Sequence, residues 1–195
     1  MNLGFIITFI YIQIANPEIN WIRYPLSRYY YTHDGYILVT GLFLIAISEI
    51  FTAQLIYKER VPENNWLRIL VFFMGLSALI IAIFPMNLIP EKSVHGFVHM
   101  IAAAVQFFLF PVVTIYYGIQ KGRSQLGFIY LIYGVVSSFV LLDILRILVT
   151  LAPVDQIYYG LIQKIYILLI VIWLIMISLS TLQKEKNIYH PDKTS

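Results

Sequence analysis

IYYGLIQKIYILLIVIWLIMISLSTL, residues 157–182, carries one charged side chain, Lys164, in a run that is otherwise apolar or weakly polar. A hydrocarbon core ~30 Å thick is crossed by roughly 20 apolar residues of helix, so this stretch is long enough to span it. In lipid every backbone polar group must be bonded inside the segment, which makes the run a helix and not a strand. Comparable runs stand at 126–149, 94–118, 66–84 and 35–57, with a shorter one at 2–15. Together they predict an all-α fold: a polytopic transmembrane helix bundle of about six spans. It forms a single domain over residues 1–183, with a polar tail at 184–195. The run at 2–15 reaches only about 22 Å as a helix and is expected to be a short or tilted span. A secretory leader is the rival reading, but the run has no basic n-region and no small-residue cleavage site.

Composition agrees. The chain is 60% hydrophobic and 12% charged, with a mean hydropathy of +0.81, where a soluble domain is about a quarter charged. No stretch between the apolar runs could bury a water-soluble core. Without cysteine there are no disulfides, thiolate ligands or thiol nucleophiles. The net charge of +3 is small and its cations flank the spans, a topological pattern that argues against nucleic-acid binding. Trp21, Tyr24 and Tyr29 to Tyr31, then Tyr57 and Trp66, and then Tyr158 and Tyr159 mark the interfaces, as an aromatic belt does.

Lysine and arginine are distributed unequally. Lys58, Arg60, Arg68, Lys121, Arg123, Lys184, Lys186 and Lys193 fall on one side, and Arg23, Arg28 and Lys92 on the other. The positive-inside rule then places both termini in the cytoplasm and turns the loops 16–34, 85–93 and 150–156 outward. Membrane lipids are the expected partners, and a prokaryotic plasma (inner) membrane the expected location.

Ionisable groups inside the runs need a reason, because each costs roughly 2.5–3.5 kcal/mol at mid-membrane. His99, Asp143, Arg146 and Lys164 lie about 8, 10, 6 and 10 Å below the outer ends of their spans. Three helices thus place polar groups in one outer-leaflet layer. Asp143 and Arg146 are three apart and share a helix face, so they can pair. Arg146 and Lys164 could hold a phosphate or carboxylate, with Gln163 beside them, or Lys164 could extend its ammonium to the headgroups. Glu49 lies deeper and apart, either as a proton carrier or as a carboxylic acid bonded to a neighbouring helix. Pro111, inside the fourth span at 94–118, reads as a hinge or a packing kink.

His95 and His99 form an H-x-x-x-H pair on one helix face, a spacing that can supply two imidazoles to a divalent metal. His33, Asp34 and Asp143 could complete the set. A bis-histidine haem is disfavoured because both rings sit on the same face of one helix.

The order of short motifs also carries a resemblance. Leu26-Ser27-Arg28-Tyr29 is followed by His33-Asp34-Gly35, Arg68, Phe84-Pro85-Met86-Asn87, His95-Gly96-Phe97-Val98-His99 and Gly160-Leu161-Ile162-Gln163-Lys164-Ile165. Over residues 26–182 this resembles the bacterial and archaeal membrane family known as domain of unknown function 998 (DUF998). The resemblance implies the architecture and carries no established activity. Many members have an acidic residue where Asn87 stands, which weakens any ligand role at that position. The histidine pair with an intramembrane aspartate is loosely similar to the seven-helix zinc hydrolases of the ceramidase and adiponectin-receptor type. The chain departs from these in having six spans and no third histidine within a helix.

Three functional expectations follow. One is a binding or transport-type protein with an outer-leaflet pocket for a lipid headgroup or small anion, using Asp143, Arg146, Gln163 and Lys164. Another is a metal-dependent lipid hydrolase built on His95 and His99. The remaining one is a structural or partner-binding subunit whose polar layer locks helices together.

Overall fold

The computed structural model describes residues 1–58, 65–84, 93–150 and 157–189. The loop Pro85–Pro90 with Asn87, the cations Arg60, Lys92 and Lys193, and His190 lie outside the described residues. Among those described there are only helices: α1 (Asn2–Ala15), a short 3-10 helix η1 (Leu26–Tyr31), α2 (Gly35–Lys58), α3 (Asn65–Ile83), α4 (Val94–Gln120), α5 (Gln125–Thr150) and α6 (Tyr159–Tyr189). Five of them, α2 to α6, are long and apolar enough to cross a membrane, and α1 is a shorter apolar helix. The chain is an integral, multi-pass membrane protein. α6 continues to Tyr189, so helix extends past the expected tail boundary at 184.

Local signals fix the helix ends. Ser93 caps α4, its Oγ accepting the Gly96 N–H at 3.0 Å, and Ser124 does the same for Gly127 at the start of α5 (3.0 Å). Between those two helices, Gly122 takes φ +62°, the left-handed conformation that ends a helix sharply and that glycine adopts without strain. The turn is short, so α4 and α5 pack as an antiparallel pair.

α2 is the central element and packs on α1, α3, α6 and η1. One core, around Phe110, Tyr117, Tyr130, Tyr166 and Trp173, joins α2 through α6. The other joins α1 and η1 to α2 around Phe5, Ile12, Tyr29 and Leu38. Residues such as Phe51, Phe128, Phe139 and Leu142 point outward and are exposed, which suits a surface solvated by lipid.

Pro111 lies within α4. Proline has no N–H to donate and so leaves the carbonyl four residues earlier, that of Phe107, without its helical partner. The Tyr166 hydroxyl of α6 donates to that carbonyl. The proline therefore marks a joint between α4 and α6, the packing reading of the two.

Candidate functional site

The polar layer expected from the sequence separates into three places. The first is a clasp at the start of α6. Lys164 is 3% exposed, and its ammonium donates to the carbonyls of Trp21 and Tyr24, each at 2.7 Å, with Gly160 O further off at 3.5 Å. The ring of Tyr29 lies 5.7 Å from the same nitrogen. One position before it, the Gln163 amide oxygen accepts the Leu26 N–H at 2.8 Å. Backbone bonds finish the joint: Gly160 N–H donates to Arg23 O and Leu161 N–H to Ile22 O. A Cβ on residue 160 would stand 2.2 Å from the Tyr24 carbonyl oxygen, so only glycine lets the two backbones meet.

Lys164 is thus placed within a backbone joint. Its ammonium has three N–H groups, and carbonyls of the 16–34 segment take the two close ones. It ties the segment that leads into η1 to the start of α6.

The second place is the surface of α5. Asp143 and Arg146 pair as expected, Arg146 donating to Oδ1 through Nε at 3.0 Å and through an Nη at 2.9 Å. Their side chains are 41% and 52% exposed, so the pair faces away from the bundle. The inward stripe of α5 is Leu141, Ile144 and Ile147, all buried, which leaves positions 143 and 146 to the side.

The third place is interior. His99 is buried, and its Nδ1–H donates to Phe84 O at 2.7 Å. His95, one turn earlier, is exposed, with its ring edge-on to Phe84 at 5.5 Å. Among the described residues no three His, Asp or Glu side chains gather closely enough to share a metal. His33 is exposed and Asp34 half-buried before α2, and neither joins the pair.

His99 lines two adjoining cavities that together form the candidate site. A cleft of about 210 Å³ runs between α4, α5 and α6 under η1, with Ala104, Phe107 and Phe108 on one wall and Ile144, Leu145 and Leu148 on the other. Met100, Phe108 and Leu148 are exposed, so the cleft opens sideways onto the lipid-facing surface. A smaller cavity of about 70 Å³ continues inward between η1, α2, α3, α4 and α6. Ser27, His99, Ala103, Phe107 and Gln163 border both. Ser27, His99 and Gln163 thus form a small polar patch between two apolar spaces. Tyr30 stands above it, donating to Ile81 O at 2.7 Å and meeting His99 edge-on at 5.9 Å. Burial raises the Tyr30 hydroxyl well above a tyrosine's ordinary range, so it remains a donor.

Below the inner cavity is a polar cluster of which the sequence announced only one member. Glu49 is fully buried on α2 and accepts the Gln106 Nε2–H at 2.6 Å. Gln106 Oε1 is 2.7 Å from Ser77 Oγ, which is also 2.7 Å from Met74 O. Gln106 and Ser77 were legible as single polar residues within the apolar runs 101–110 and 71–83, but nothing in the sequence paired them with Glu49.

The chain matches the family described as protein of unknown function (DUF998) over residues 3–180. The chain belongs to the DUF998 family. The match takes in α1 and so reaches further toward the N-terminus than the motif resemblance, which began at residue 26. No curated protein and no solved structure matches the chain. For this DUF998 protein, activity has to be read from the cavities themselves.

Proposed function

We propose that the chain is a binding or transport-type membrane protein that takes an amphiphilic lipid from the outer leaflet into the cleft between α4, α5 and α6. One observation carries the reading: an apolar cleft that opens to the lipid-facing surface and ends at Ser27, His99 and Gln163. Small-molecule sites are typically apolar with a few placed polar groups that fix orientation. An acyl or isoprenoid chain fits the walls of Phe107, Phe108, Leu145 and Leu148. A hydroxyl, amide or ester carbonyl on the ligand fits the polar patch.

The cations shape the choice of ligand. Lys164 is committed to carbonyls and Arg146 to Asp143, which favours a hydrogen-bonding polar group over a free anion at the inner end. Arg146, on the same helix as the cleft's outer wall, is placed to meet a headgroup phosphate outside the cleft. By the positive-inside count the η1 end faces outward, which makes the outer leaflet the source.

A photoactivatable, chain-labelled phospholipid in vesicles holding the purified protein tests this. Labelling should concentrate on residues 100–108 and 141–148, and Ala104→Phe, which fills the cleft, should lower it several-fold. Labelling spread evenly over all lipid-facing helices, and equal in the variant, would overturn the reading.

A further inference from the structure

We infer that Glu49 is a proton-exchange site in the middle of the bundle, switched by rotation of the Gln106 amide and reached from the η1 end through the small inner cavity.

The inference starts from an imbalance. Glu49 is fully buried, yet among the described residues its Oε2 has no hydrogen-bond partner and its Oε1 has one. A carboxylate accepts through both oxygens, and one left without counter-ion or second donor in a lipid-surrounded core is a costly arrangement. The neutral acid leaves only a carbonyl-type oxygen unpaired, a much smaller loss.

The neighbours can serve both forms. In one arrangement Ser77 donates to Gln106 Oε1 and Gln106 Nε2 donates to the Glu49 carboxylate, following the distances of 2.7 and 2.6 Å. In the other, the amide is turned over. The protonated Glu49 donates to Gln106 Oε1, Gln106 Nε2 donates to Ser77 Oγ, and Ser77 donates to Met74 O, which lies at 2.7 Å. An amide looks nearly the same to its neighbours after a half-turn, so both arrangements use the same heavy-atom positions. Met74 O is the acceptor that makes the second one possible. Glu49, Gln106, Ser77 and Met74 therefore form a short chain with one consistent set of bonds for each protonation state.

Access comes from the inner cavity. Gln106 lines its lower end, while Ser27, Tyr30, His99 and Gln163 line its upper end. On α2 the lining positions Leu38, Leu42 and Ile45 are spaced along one face, and Glu49 is the next position on that face. Its volume of about 70 Å³ exceeds the ~10–15 Å³ that holds a single water. The middle of the column, walled by Ile45, Ala78, Ile167 and Ile170, is apolar and disfavours continuous water, so exchange proceeds when the column wets. A proton entering from solution at the η1 end is carried by that water. The O–H bond of the protonated water breaks as the Glu49 O–H bond forms, and the donor is left as neutral water. No other covalent bond changes, only the hydrogen bonds of the chain reverse, and release runs back along the same route.

No titratable group among the described residues is bonded to Glu49, whose hydrogen-bond partner is Gln106. Tyr30 and His99 line the upper end of the cavity, and Lys164 is in the clasp above it. Arg68 of α3 is at the opposite end of that helix from η1, and Tyr166 of α6 is bonded to Phe107 O. Tyr11 on α1 is exposed.

Infrared spectroscopy of the full chain in lipid vesicles across a pH series tests the inference. A carboxylic-acid carbonyl band is expected that weakens as pH rises and is absent from the isosteric Glu49→Gln. Its deuterium exchange should slow several-fold in Ala103→Phe, which narrows the column. Modification of the wild type by a membrane-soluble carbodiimide, mapped by mass spectrometry, provides a readout that needs no variant and should land on Glu49. A spectrum identical in Glu49→Gln and wild type, a Glu49 band indifferent to pH, or a folded wild type in which Glu49 escapes the carbodiimide would each overturn it.

Discussion

Two buried ionisable groups of this protein are treated in opposite ways. Lys164 has strong carbonyl partners for its ammonium and a tyrosine ring beside it. Among the described residues Glu49 has one donor, and its other oxygen has no partner. A charge whose bonds are all filled serves to hold parts together, because any change of state would break several of them. One whose bonds are half filled, beside a network with a second valid arrangement, is suited to changing state. The clasp is accordingly the fixed part of the molecule and the Glu49 cluster its switchable part.

Breaking the clasp gives the largest expected effect. Lys164→Met removes two charge-assisted bonds and leaves the Trp21 and Tyr24 carbonyls unpaired, a loss of about 3 kcal/mol or more at ~1.5–3 kcal/mol for each such bond. Thermal unfolding in detergent should show it as a marked fall in Tm, which Lys164→Arg does not restore because the longer planar fork does not fit the site. Gly160→Ala attacks the same joint by steric means. The methyl would meet the Tyr24 carbonyl, and overpacking of this kind costs about 1–3 kcal/mol.

A smaller effect is expected at the α4–α6 joint, which is neutral throughout. Tyr166→Phe strips the Phe107 carbonyl of its donor, at a cost of about 1–2 kcal/mol. In a Pro111→Ala background the helix can bond that carbonyl itself, so the same change should cost less. A double-mutant cycle by chemical denaturation measures the coupling, and strict additivity would contradict the joint.

The smallest stability effect belongs to Glu49→Gln, which keeps the shape and one hydrogen bond at Gln106. Its Tm should stay close to that of the wild type. If it instead fell as far as that of Lys164→Met, the contrast between the two sites would collapse.

The five long helices were legible because their apolar runs are long and several boundaries carry an aromatic or a capping residue. Position along each run can be counted from the rise per residue. Azimuth was not legible. Asp143 and Arg146 look like pocket residues by depth, and only the packing of Leu141, Ile144 and Ile147 against the bundle turns them outward. The partners of Lys164 were hidden for another reason: they are backbone carbonyls of a segment about 140 positions away, and carbonyls carry no sequence signal. At Pro111, counting back four residues identifies Phe107 as the exposed carbonyl, but Tyr166 as its donor emerges only from the folded contact. His95 and His99 had the spacing of a metal pair, yet one ring is exposed and the other is bonded to Phe84 O.

The most direct test of the central contrast is limited proteolysis of the 16–34 segment in Lys164→Gln beside wild type, in vesicles with the η1 end exposed. Faster cleavage within residues 16–34, with the helices intact, is the result expected if Lys164 is a clasp. An unchanged cleavage rate, together with weakened binding of an anionic lipid, would return Lys164 to an anion site and contradict the account.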